Sequence, residues 1–109
     1  MASPPMNWPR PLRQRLSETE ITREVTGSKG RYVARVDGHE AELTYSIASP
    51  KMIIADHTGV PEALRGTGVG QALAERLVAD ARAEGVKIVP LCPFVNMLKR
   101  KHPEWADAF

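Results

Sequence analysis

Cysteine is nearly missing from this chain: Cys92 stands alone, so no intrachain disulfide can form and a reducing compartment, the cytoplasm, is the expected setting. Apolar runs are only a few residues long, far short of a bilayer span, and no apolar segment near the N-terminus has the form of a secretory signal. An excess of one charge is lacking too. Fifteen basic against 13 acidic residues leave a net charge of +2, too little for the broad cationic field that nucleic-acid binding uses. His39 and His102 have no companion at ligand spacing, so no metal site is expected. Tyrosine occurs only as Tyr32 and Tyr45, both in the first half. What remains, 109 residues with 42% apolar and 26% charged content, suits one globular domain acting as a monomer or weak homodimer.

Residues 1–20 carry Pro4, Pro5, Pro9 and Pro11 beside Arg10, Arg13 and Arg15, with neither helical nor strand periodicity, and read as a flexible tail. The domain then occupies 21–109. Ile21 to Val25, Arg31 to Val36 and Ala41 to Ile47 alternate as strands, and the Asp37-Gly38 pair is a hairpin signal because a type I′ turn needs positive φ at both central residues. Lys51 to Thr58 begins apolar enough for a central strand and ends polar enough to open onto a site. Gly70, Leu73, Ala74, Leu77, Val78 and Ala81 recur at helical spacing, and Gly85 fits the residue that ends such a helix. Val86 to Leu91 reads as a strand that a helical crossover makes parallel to the 52–58 strand. A short helix from Phe94 to Lys101 comes next, with Pro103 beyond it. The expected class is α+β: an antiparallel meander continuing into a mixed sheet, packed by one long helix.

Between the central strand and the long helix lies Val60-Pro61-Glu62-Ala63-Leu64-Arg65-Gly66-Thr67-Gly68-Val69-Gly70. Glycines two apart at a helix start strip the backbone of side chains where N–H groups lack partners, which makes an anion cradle suited to a phosphate or pyrophosphate. A Walker loop would need Gly-Lys-Ser/Thr where Gly68-Val69-Gly70 stands. A dinucleotide fingerprint starting at Gly66 would need a glycine at Gln71. A further reading is architectural, with the glycines only letting a strand meet a helix.

The Arg65-x-x-Gly68-x-Gly70 pattern resembles the pyrophosphate loop of the GNAT family of acetyl-CoA-dependent N-acetyltransferases. His57-Thr58-Gly59-Val60-Pro61, Pro90-Leu91-Cys92-Pro93 and Lys99-Arg100-x-His102-Pro103-x-Trp105 resemble a branch of short single-domain members, over roughly positions 21 to 105. The resemblance implies a V-shaped splay between the two parallel strands, with the pantetheine arm of acetyl-CoA along the backbone of Thr58, Gly59 and Val60. It implies the diphosphate on the amides of Arg65, Gly66, Thr67, Gly68, Val69 and Gly70, and an amine as acceptor. The basic residues Lys99, Arg100 and Lys101 are candidates for the 3′-phosphate, with Lys99 taken as the cofactor-binding one.

Two residues are catalytic candidates. The family often protonates the leaving thiolate with a C-terminal tyrosine, which this chain lacks. Cys92 is the nearest substitute, as proton donor or acetyl acceptor, against the alternative that it is a small packing residue. His57 suits a general base, since a free imidazole changes charge near ~6.5, against the alternative of a ring hydrogen-bonded under the loop. Gly59 stands where the branch often has a carboxylate, and Glu62 is the nearest acid. The alternative function is a CoA-binding module with little or no catalysis, and a third reading is a protein-interaction module.

Overall fold

The computed structural model describes residues 21–109, so the expected tail of residues 1–20 lies outside the described residues. Five strands run in sequence order across one sheet: β1 (Ile21–Thr26), β2 (Lys29–Val36), β3 (His39–Ser49), β4 (Met52–Gly59) and β5 (Lys87–Pro90). The first four are antiparallel neighbours, and β5 pairs parallel to β4. Asp37 and Gly38 close the β2–β3 hairpin with φ of 49° and 79°, the positive pair that a type I′ turn requires. The parallel pairing needs a crossover, supplied by α1 (Val69–Glu84), and Gly85 ends that helix in the left-handed conformation at φ 69°. A short helix α2 (Pro93–Lys101) and a final 3-10 turn (Pro103–Ala108) complete the chain. The expected α+β fold with its mixed sheet and packing helix is the observed one.

Alternation decides what is buried. Tyr32, Ala34 and Val36 on β2, Ala41, Leu43 and Tyr45 on β3, Ile53 and Ala55 on β4, and Ile88 on β5 form one core with Leu73, Ala74, Leu77, Val78 and Ala81 of α1. Val95 and Leu98 of α2 and Trp105 of the last turn join the same cluster. Both tyrosines are tied down at their hydroxyls. Tyr32 donates to Asp80 at 2.8 Å, while the Arg23 guanidinium donates to Tyr45 Oη at 2.9 Å and lies 5.5 and 5.6 Å from the two ring centres. Arg76 completes the group by donating to Asp80 at 3.1 Å. Burial, and then the hydrogen bond to Asp80, push the Tyr32 phenol well above its ordinary pKa.

Two interruptions of the sheet prepare a site at its end. In β4, His57 faces Thr44 and Ala55 faces Tyr45, so Asp56 is an extra residue that the β3 register skips, a β-bulge, although its carboxylate accepts a hydrogen bond from the Ser46 hydroxyl. A bulge of one residue reverses the alternation beyond it. Ile53 and Ala55 point to the core, and after the bulge Thr58 takes that side while His57 turns to the opposite, outer face. The second interruption is in the β4–β5 ladder, which runs from Met52↔Lys87 to Ala55↔Pro90. The amide of Cys92 donates to Ala55 O at 2.8 Å, and beyond this bond the strands part. Residues 56–59 continue with β3 on one side and nothing from β5 on the other, which is the splay.

Candidate functional site

The loop before α1 is shaped by backbone demands. A 3-10 turn at Glu62–Leu64 leads into Gly66 and Gly68, whose φ values of 79° and 87° lie in the left-handed region that favours glycine. The turn consumes some of the loop amides. Arg65 N–H donates to Glu62 O, Thr67 N–H to Leu64 O, and Val69 N–H to the Thr67 hydroxyl, at 3.1, 3.2 and 3.3 Å. The Thr67 hydroxyl itself donates to Leu64 O at 2.5 Å, so this residue builds the turn. The amides of Gly66, Gly68, Gly70 and Gln71 have no acceptor among the described residues. Gly68 at the N-cap has no side chain to offer and the first turn holds no acid, so no carboxylate compensates the positive end of the helix dipole there.

Those four residues line one cavity of about 470 Å³. Its apolar walls are Val60, Leu64 and Val69 on one side and Phe94, Met97 and Leu98 of α2 on the other, with Thr58, Arg65, Lys101 and His102 as polar contributors. Gly70 serves the cavity by what it omits. A Cβ there would lie 2.9 Å from Cζ of Phe94 and 3.4 Å from Cγ2 of Val60, so only glycine lets α1 start this close to α2.

The spacing of α2 decides which of its cations reach the cavity. Phe94, Met97, Leu98 and Lys101 share one face, and Lys101 therefore lies at the cavity. Lys99 is not brought to it: the ammonium sits 5.5 Å over the Phe109 ring. Arg100 does not line the cavity either. His102, which has no metal-ligand companion in the sequence, does line it. Its ring stacks on Trp105 at 4.3 Å, and Nδ1 is 2.9 Å from a Glu104 carboxylate oxygen. The signal that finds Lys101 and the wall residues in the sequence is the Phe94, Met97, Leu98, Lys101 stripe, read as a helix face.

Cys92 and His57 are separated by the sheet. Cys92 is buried, 3% exposed, at the apex of the splay, with Sγ 3.5 Å from the Thr58 hydroxyl, and Thr58 rather than Cys92 lines the cavity. His57 is exposed on the outer face. Its Nε2 is 3.5 Å from the position a Cβ of Gly59 would take, and Glu42 flanks the same point. Glu42 is paired with Arg31 at 2.6 Å, and both residues, with Glu40, Gly59, Val60 and Pro61, border a shallow depression of about 510 Å³ on that face. Val60 thus borders both spaces. Among the described residues no group of three or more His, Cys, Asp or Glu is placed to hold a metal ion, and no helix is long and apolar enough to cross a membrane.

A mixed sheet that splays beside a glycine-rich helix start is the architecture of a GNAT acetyltransferase. Residues 31–108 match the family described as GCN5-related N-acetyl-transferase, and the chain belongs to this family. Comparison with curated proteins found no match. The family is one of acetyltransferases that generally use acetyl-CoA as donor and an amine as acceptor.

Proposed function

We propose that this protein is an acetyl-CoA-dependent N-acetyltransferase that transfers the acetyl group to an amine. The observation that carries the proposal is the coincidence at the cavity: the loop amides left without an acceptor, those of Gly66, Gly68, Gly70 and Gln71, belong to residues that line it. An anionic diphosphate supplies the acceptors they lack. Arg65 and Lys101 add positive charge at the same cavity, and His102 stands beside Lys101 for the 3′-phosphate. The backbone of Thr58, Gly59 and Val60, unpaired toward β5, is the edge a peptide-like pantetheine arm would use.

Chemistry then divides between the two faces. Acetyl transfer requires a neutral amine and a protonated leaving thiol. His57, on the outer face beside the Glu42 depression, is assigned as the base for an amine arriving from that side. Cys92, at the apex of the splay, is assigned to the thioester side. The test is thermal unfolding with CoA, acetyl-CoA and dephospho-CoA. A ligand at one hundred times its Kd adds about 2.7 kcal/mol, which for a domain of this size raises Tm by roughly 10–20 °C. The absence of any shift refutes the proposal. Stabilisation without acetyl-CoA consumption across a panel of amines identifies a CoA-binding module instead.

A further inference from the structure

Protonation of the leaving thiol lacks an assigned donor that touches the cavity. The two tyrosines are committed to Arg23 and Asp80, His57 faces away, and Cys92 is buried behind the cavity wall. The hydroxyl that does face the cavity is that of Thr58, placed there by the bulge at Asp56, and it is 3.5 Å from Cys92 Sγ. We infer that Thr58 is a catalytic residue of the transfer and that Cys92 is its positioning residue, acting only through the Thr58 hydroxyl. This rests on the acetyl-CoA reading of the same cavity.

A threonine hydroxyl alone is far too weak an acid to protonate a thiolate, and the thiol behind it resolves the difficulty. As the amine nitrogen bonds to the acetyl carbon, the C–S bond breaks and its electron pair goes to sulfur. The departing sulfur takes the Thr58 hydroxyl proton while the Cys92 S–H proton moves onto Oγ1. Cys92 is left as the thiolate, and the proton released by the amine restores it. Both ends of the relay are thiols, so the proton passes between groups of the same chemical kind. Before the reaction, an S–H donating to Oγ1 polarises the hydroxyl and leaves its own proton free for the cavity.

The test compares Thr58→Val, Thr58→Ser and Cys92→Ala. Thr58→Val keeps the shape and removes the hydroxyl. It is expected to lower kcat on the order of a hundredfold, as loss of a transition-state donor does, while KM for acetyl-CoA and the thermal shift stay unchanged. Thr58→Ser is expected to retain kcat within a few-fold, and Cys92→Ala to fall with Thr58→Val, the double variant losing no more than either alone. A readout independent of turnover comes from the chain's one cysteine, whose S–H stretching band in the Raman spectrum is unambiguous. The band should move to higher frequency in Thr58→Val without any ligand, as a released S–H does, and should respond to acetyl-CoA in the wild type, since acetyl-CoA contains no thiol. Unchanged kcat in Thr58→Val with the thermal shift intact overturns this inference alone, as does an unmoved S–H band. A wild type that acetyl-CoA fails to stabilise overturns the reading on which it rests.

Discussion

Replacing Gly70 by alanine sets three effects against one another at a single atom. The new Cβ would stand 2.9 Å from Cζ and 3.2 Å from Cε2 of Phe94, so the ring must retreat by about half an ångström to reach an ordinary contact. Alanine within a helix gains about 0.5–1 kcal/mol over glycine, whereas overpacking a filled site costs about 1–3 kcal/mol. Phe94 is only half-buried and lines the cavity, so its ring has somewhere to go. The net loss should therefore be small, about 1 kcal/mol, which is a fall in Tm of roughly 4–8 °C by thermal unfolding. The larger effect falls on the ligand, because the ring retreats into the space a donor molecule needs. A tenfold weaker Kd for acetyl-CoA, about 1.4 kcal/mol less stabilisation, is expected, and Phe94→Leu in the same chain should restore most of it. A loss above about 3 kcal/mol in the ligand-free protein would show that Phe94 cannot yield. An unaltered Kd would show that the cavity beside Phe94 is not where the coenzyme binds.

Tyr32→Phe removes the hydroxyl that donates to Asp80 and should cost about 1 kcal/mol in urea unfolding. The fold holds this phenol neutral, with a pKa above its ordinary 10.0, so the stability it contributes is intact below about pH 10 and is lost as pH climbs further. The alkaline loss of stability should be shallower in Tyr32→Phe, and identical curves for the two proteins would refute that origin. Lys101→Ala should weaken CoA several-fold while leaving dephospho-CoA unaffected, whereas Lys99→Ala should alter neither, because Lys99 sits over Phe109. Calorimetric titration decides between them, and a larger effect at Lys99 would contradict the placement of α2.

Much of this fold is legible in the order of residues because its elements are governed by local rules. The α1 face from Gly70 to Ala81, its stop at Gly85 and the Asp37-Gly38 turn depend on periodicity and on positive φ, both carried by the residues themselves. The site is less legible because its parts depend on pairings distant in sequence. Nothing in Ala55-Asp56-His57-Thr58 announces that Asp56 is skipped by β3, yet that skip sends His57 to the outer face and Thr58 to the cavity. Likewise the glycines at 66 and 68 read as a cradle, but which amides stay free depends on how the Leu64 and Glu62 carbonyls fold back. The role of Gly70 as clearance for Phe94 depends on a helix that begins more than twenty positions later. Lys99, Arg100 and Lys101 look alike as a run of charge, and only the rotation of α2 tells them apart.

The supernumerary residue in β4 makes the strand an odd-numbered switch. Were β3 to pair with Asp56 instead of skipping it, the sequence would be unaltered, yet His57 would fall opposite Leu43 and Thr58 opposite Glu42, the imidazole dropping among the apolar residues and the hydroxyl surfacing into water. A slip of one register position would thus act as an inversion of the strand's end. Register at this point in the chain carries as much chemical information as residue identity.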